Sequence, residues 1–229
     1  MKTFVTRTLC LLLAAALPLL LHATHYAPIE DVDVDAYLGV WFQTYASASV
    51  KYTFELGGNC VTARYRKTSR NRTIEVQNVV RPCTSFNDGS IPFGDLIFNI
   101  VINGYAVQSN TTDGQLQVTL PRIPGLPFGL GTPDINDVTY TDPGNYWIIE
   151  LGPINDDGKY DYSIVTNNEE GDQLYVLVRN VTVFEQLYEK DVLKNLEEYG
   201  FTKPFNKPRK TNQKNCNYEY YKFEDDFDT

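Results

Sequence analysis

The chain has 229 residues, 42% hydrophobic, 13% aromatic and 21% charged, with 15 Gly and 12 Pro. These proportions suit one globular domain with processed or flexible ends and exclude a disordered, collagen-like or polytopic membrane protein. Twenty basic against 29 acidic side chains give a net charge of −9, a surface that repels phosphate backbones and argues against a nucleic-acid partner.

At the N-terminus Lys2 and Arg7 precede an apolar run from Leu9 to Leu21. At about 1.5 Å per residue this run is too short to cross a hydrocarbon core of about 30 Å. Residues 1–23 therefore read as a secretory signal peptide ending at Ala23, and the protein is expected to be secreted and extracellular. Removing that segment takes Lys2 and Arg7 with it and deepens the charge to −11. Of the two histidines, His22 and His25, only the second survives, so mechanisms built on a buried imidazole lose their usual residue. Cys10 is removed as well, leaving Cys60, Cys83 and Cys216 in an oxidising compartment: one disulfide and one odd thiol. Sequons at Asn71, Asn110 and Asn180 each carry Thr two places on and are candidate N-glycosylation sites.

From Gly39 onward short runs of Val, Ile, Thr, Tyr and Phe alternate with turn dipeptides. Strands are predicted near 40–46, 59–67, 73–80, 97–108, 115–120, 146–151, 160–166 and 173–179. Between them stand Gly57-Gly58, Asp88-Gly89, Asp113-Gly114, Asp157-Gly158 and Gly171-Asp172, where Gly supplies the conformations of tight turns. Eight strands at hairpin spacing indicate an all-β fold, an antiparallel sandwich or an up-and-down barrel. The Pro- and Gly-rich connection 121–144, with Ile123, Leu126, Phe128 and Leu130, is either a lid or lip on a cavity or a loop packed down on its own domain.

After the last strand the period changes. Thr182-Val183-Phe184-Glu185 reads as a capping box, and Phe184, Leu187, Tyr188, Val192, Leu196 and Tyr199 recur at steps of three or four. With Gly200 as a left-handed C-cap, this predicts one amphipathic helix of roughly 16 to 18 residues on the outside of the sheet. The main domain is drawn as 24–203, with a flexible tail over 204–229.

The segment Asp35-Ala36-Tyr37-Leu38 leads into Gly39-Val40-Trp41-Phe42 at the first strand, Arg179 closes the eighth, and a helix follows directly. In this arrangement the chain resembles a lipocalin over roughly Asp35 to Thr202. The stretches Asn59-Cys60-Val61-Thr62-Ala63-Arg64-Tyr65, Asn145-Tyr146-Trp147-Ile148-Ile149 and Leu174-Tyr175-Val176-Leu177-Val178-Arg179-Asn180 are most similar to the branch of apolipoprotein D, insect bilin-binding proteins and bacterial outer-membrane lipocalins. Where lipocalins usually carry Thr-Asp-Tyr after the sixth strand, this chain has Glu150-Leu151-Gly152-Pro153 and a longer Asn155-Asp156-Asp157-Gly158 turn.

The resemblance implies an eight-stranded antiparallel up-and-down barrel with one C-terminal α-helix packed outside, closed at one end by Trp41 and Arg179. If that pair points inward, the period of two sends Gln43, Tyr45, Tyr175 and Leu177 into the same interior. The branch places Tyr65 in the cavity, which carries Ala63 and Val61 with it. It matches Asn78 to a pocket amide, with Ile74 and Val76 on the same face. Such a lining suits a small hydrophobic ligand with one or two polar ends, although an eight-stranded barrel can also be filled by its own side chains.

In the same branch a Cys at the place of Cys60 bridges to the C-terminal segment, which favours Cys60 with Cys216. The retinol-binding type instead matches Cys83 with Cys216, and Cys60 and Cys83 also lie nearly opposite in a hairpin. The implied function is transport or sequestration of a lipid, sterol-like compound or pigment, without enzymatic activity, metal or cofactor. A spare thiol leaves an isomerase or antioxidant as the alternative, and a filled barrel would bind a macromolecular partner instead. Loops 82–96 and 121–144 would frame the mouth and touch membrane or lipoprotein surfaces. Oligomeric state is not legible.

Overall fold

A computed structural model describes residues 26–55, 57–81, 99–121, 131–216 and 218. The proposed signal peptide, Cys83 and loop 82–96 lie outside these residues, as does most of the acidic end of the tail.

Eight strands form the sheet: β1 (Gly39–Ser47), β2 (Asn59–Lys67), β3 (Thr73–Arg81), β4 (Ile100–Gln108), β5 (Gln115–Thr119), β6 (Tyr146–Leu151), β7 (Tyr162–Thr166) and β8 (Leu174–Val178). Each runs antiparallel to its sequence neighbours, and β1 pairs with both β8 and β2, so the sheet closes into a barrel. The β1–β2 ladder sets Gly39 opposite Tyr65 and Phe42 opposite Thr62. Beyond Phe42 the free edge of β1 is taken by a short ninth strand, β9 (Pro208–Lys210), with Ser47 opposite Pro208. The flexible tail drawn from residue 204 is thus corrected in its first part, which is built into the sheet edge.

The period of two sorts side chains into two cores. Trp41, Ala63, Tyr65, Val76, Ala106, Leu116, Ile148, Val165 and Leu177, contributed by all eight strands, form the interior. Ile164, Val176 and Val178 point the other way and pack beneath Phe184, Val192, Leu196 and Phe201. Phe184, Val192 and Leu196 belong to the helical segment and Phe201 to the turn after it; the segment lies outside the barrel as expected but in two pieces, α3 (Val181–Leu187) and α4 (Glu189–Glu198); two short helices, α1 (Val34–Tyr37) and α2 (Ala48–Thr53), precede and follow β1.

The break falls at Tyr188, whose φ of −121° leaves the helical region. Its hydroxyl donates to Asp161 at 2.7 Å and its ring packs 5.4 Å from that of Tyr162, holding it against the sheet. The capping box also shifts. Asn180, not Thr182, is the N-cap, its side-chain oxygen accepting from the Val183 amide at 3.1 Å, while Glu185 pairs with Lys210 at 2.7 Å. Gly200 ends the helix at φ +94°, as the sequence predicts.

Alternate connections fall at the same end of an up-and-down barrel. One end carries the start of β1, the 68–72 turn and Arg179. The other, the mouth, carries α2 and residues 55–58. The 121–144 connection, in its described part, lies down on the barrel: Val138 is buried, and the Ile135 carbonyl accepts from Arg70 in the 68–72 turn at the closed end. Residues 131–144 are therefore not a lip on the mouth.

Candidate functional site

The closed end is built first by backbone carbonyls. Arg179 donates to the carbonyls of Val40, Ala36, Tyr37 and Leu38 at 2.7, 3.1, 2.8 and 2.9 Å. Its guanidinium carbon stands 3.7 Å from the centroid of the Trp41 ring, and the indole nitrogen donates to the Tyr37 carbonyl at 2.9 Å. Burial pulls the Arg179 guanidinium down to about 10, and its charge is stabilised by those four oxygens and the indole face. Gly39 explains its own place: its φ is +108°, and a Cβ there would lie 3.1 Å from an Arg179 nitrogen.

Above this plug sit three tyrosines. The Tyr146 hydroxyl meets those of Tyr37 at 2.7 Å and Tyr65 at 2.9 Å, and Tyr37 also reaches Ser163 at 3.2 Å. Desolvation raises Tyr37 to about 12 and lifts Tyr65 and Tyr146 well above the ordinary phenol range, so all three are neutral hydrogen-bonding groups. Tyr65 is inward as the sequence implies, yet its hydroxyl is committed to the floor of the interior. Tyr37 and Tyr146 were not among the expected site residues. The signal for Tyr146 was available in its place just before Trp147 at the start of a strand.

The remaining lining residues divide. Ala63, Ile74, Val76 and Leu177 belong to the inner core and Tyr175 packs against it. Asn78 is half-buried and lies opposite Ala63 and Ile102 in the ladders. Val61 is buried but belongs to neither core, its carbonyl accepting from Gln213 at 2.8 Å. Tyr45 is a correction: it packs in the outer core, and its hydroxyl donates to Glu189 at 2.6 Å. The cause is an irregularity of β1 between Gln43 and Tyr45, which sets Gln43 opposite Leu177 but Tyr45 opposite Val176, one residue out of phase.

Gln43 keeps the inward phase and opens the polar region of the mouth. Its amide donates to the Thr211 hydroxyl at 3.1 Å, and the Lys51 ammonium donates to the same oxygen at 3.2 Å. Gln213 bridges the carbonyls of Gln43 and Val61, each at 2.8 Å, across the gap where β1 and β2 no longer pair. The Thr211 amide adds a bond to Thr44 and the Cys60 amide one to Asn212. This seam is locked by a disulfide between Cys60 and Cys216, whose Cα atoms lie 5.6 Å apart, so of the three pairings left open Cys60–Cys216 is the one formed.

Glu55, between α2 and β2, was not among the expected site residues. It is buried beside Gln43 and Lys51, and one carboxyl oxygen, Oε2, has no hydrogen-bond partner among the described residues. Desolvation pushes its carboxyl up to about 7 against the pull of the nearby Lys51 charge. No local pattern marks it, because its burial comes from a loop folding back on the barrel.

Elsewhere, a cleft of about 500 Å³ lies below the closed end between α1 and the 68–72 turn, and of the expected lining residues it touches only Ile74. Its cations are engaged, Lys67 with Asp35 at 3.1 Å and Arg72 with Asp113 at 2.8 Å. The sequon residues Asn71, Asn110 and Asn180 are all exposed. No family model matches the chain, and no curated protein matches it. What the geometry gives by itself is a closed eight-stranded antiparallel barrel, a fold consistent with the lipocalin-like calycins, with a built floor and a disulfide-locked seam.

Proposed function

We propose that the protein is a secreted lipocalin, of the branch that includes apolipoprotein D, bilin-binding proteins and bacterial outer-membrane lipocalins. It carries or sequesters a small hydrophobic molecule in the barrel. The observation that carries this reading is the inner wall, to which every strand contributes an apolar side chain above a floor of Trp41, Arg179 and three tyrosines. Such a wall stabilises an apolar guest by about 25 cal/mol per Å² removed from water, and Gln43, Asn78 and Tyr175 supply the polar contacts that orient it. The Cys60–Cys216 bond favours an oxidising compartment, and the exposed sequons suit passage through a glycosylating one. Binding proceeds without turnover. Loop 82–96 and the apolar residues 123–130 would meet the membrane or lipoprotein surface from which ligand is drawn.

A filled barrel is the second reading, favoured by the Tyr37, Tyr65 and Tyr146 cluster, which occupies interior space with mutually satisfied hydroxyls. Titration of the purified, secreted protein with fluorescent fatty acids, retinoids and haem separates the two. Saturable quenching of Trp41 and Trp147 by one class supports the carrier; flat titrations across all three support the filled barrel. A Cys83→Ser variant that keeps binding supports carriage without thiol chemistry, and one that loses it together with a turnover signal supports an enzyme.

A further inference from the structure

The mouth holds a group that the carrier reading leaves unused. Glu55 follows α2, which packs on β1, and its carboxyl is close enough to interact with Gln43 of β1 and for its charge to act on Tyr175 of β8. Gln43 lies opposite the inner-core residue Leu177, and Tyr175 packs against the inner core, so both belong to the barrel interior. Burial raises the Tyr175 hydroxyl above its ordinary range, and the Glu55 charge raises it further, which sets the carboxyl within electrostatic reach of the cavity wall.

The carboxyl is not neutralised in the usual manner. Lys51 lies near it and pulls its proton affinity down, but its ammonium donates to the Gly58 carbonyl at 3.4 Å and to Thr211, on the side of the seam. Oε2 is left buried without a hydrogen-bond donor among the described residues. A buried acceptor in that condition is costly, and the cost is relieved by whichever donor reaches it. Buried polar groups left unpaired are also the strongest source of ligand discrimination, since an apolar wall separates similar molecules poorly.

We propose that Glu55, with Gln43 and Tyr175, is the polar anchor of the cavity and takes the hydrogen-bond-donating head, a hydroxyl or an amine, of an otherwise apolar ligand. A hydroxyl or ammonium donates to Oε2, while a ligand carboxylate brings a second negative charge to the same place and an ester brings no donor. The preferred class is therefore the long-chain or sterol-like alcohol or amine, and the free fatty acid is disfavoured. This rests on the carrier reading and adds a ligand class to it.

The test uses the full secreted chain loaded with diphenylhexatriene, a dye with no polar group, whose fluorescence reports an accessible apolar cavity. Oleyl alcohol, oleylamine, oleate and methyl oleate share one chain and differ only at the head, and each is titrated as a competitor at neutral pH. The alcohol and the amine are expected to displace the dye at about tenfold lower concentration than oleate or methyl oleate. In Glu55→Gln the preference for oleylamine over oleate is expected to fall by about the same factor. Equal displacement by all four heads, or a preference that survives in Glu55→Gln, overturns the anchor and leaves the carrier intact. Failure of the dye and of every competitor to bind overturns the carrier and the anchor with it. If Glu55→Gln does not fold, the wild-type order decides alone: oleate binding as tightly as oleyl alcohol overturns the proposal.

Discussion

The two ends of the barrel solve opposite problems with the same kinds of residue. At the closed end most strong polar groups have company: Arg179 finds four carbonyls and an indole face, although its Nε, like that of Arg72, has no hydrogen-bond partner among the described residues, and the Tyr37, Tyr65 and Tyr146 hydroxyls find one another and Ser163. At the mouth, β1 and β2 part after Phe42 and Thr62, a tail residue bridges the gap, and a buried carboxyl oxygen is left over. The contrast teaches where stability and selectivity reside. A network in which each charged group has several partners fixes a single conformation, whereas a buried carboxylate oxygen with no donor keeps a free energy in reserve for whatever completes it.

The closed end should therefore carry the larger share of stability. Trp41 is fully buried, and Trp41→Ala removes its packing and leaves Arg179 without the indole face. A loss of about 4 kcal/mol in urea unfolding is expected, typical of a large buried aromatic truncated to Ala. A loss no greater than that of an ordinary surface substitution would erase the distinction between the ends.

The mouth should lose less, and in a different currency. Replacing Cys60 and Cys216 together by Ser removes a link between residues 156 apart in sequence, expected to cost roughly 3 kcal/mol. The hydrogen bonds of Thr211 and Gln213 then hold the seam alone, so trypsin should cut after Lys214 faster than in the parent, while Trp41 emission stays where it was. Unchanged protection at Lys214 would mean that β9 and its neighbours suffice, and that the covalent lock is redundant.

These differences track what the sequence could disclose. The eight strands were legible because each obeys a period of two between turn residues, and the Trp41 and Arg179 pair because its place in the chain resembles that of a known family. Tyr45 was misplaced because an irregularity in β1 shifts the phase by one residue, and no alternation reveals it when Tyr45, Ala46 and Ser47 are all buried. The helix was divided by a contact of Tyr188 with Asp161 that lies 27 residues away. Pro208–Lys210 is too short and polar to read as a strand, and it becomes one only because β1 offers an unpaired edge. Glu55 was invisible for a related reason: charge in a loop signals solvent, and only the folded barrel turns it inward.

The smallest expected effect follows from that buried carboxyl and is a matter of pH. The native carboxyl, at about 7, binds its proton more tightly than the unfolded one at 4.5. Between those values the native state holds the extra proton, so stability falls as pH rises; below 4.5 both states are protonated and the group is silent. Lys51 and Tyr175 are the titratable groups whose charge couples to it, and the Tyr175 phenol, held above its ordinary range by burial, stays neutral in this window. Glu55→Gln removes the titration. Its stability relative to wild type should therefore rise from pH 4.5 to about pH 8 by at most about 3 kcal/mol, the worth of a shift of that size. A ligand donor on Oε2 stabilises the ionised carboxyl, so saturating oleyl alcohol should flatten the wild-type slope toward that of the variant. Parallel pH curves for the two proteins would place the carboxyl in solvent, and the two ends of the barrel would then differ in geometry but not in polar satisfaction.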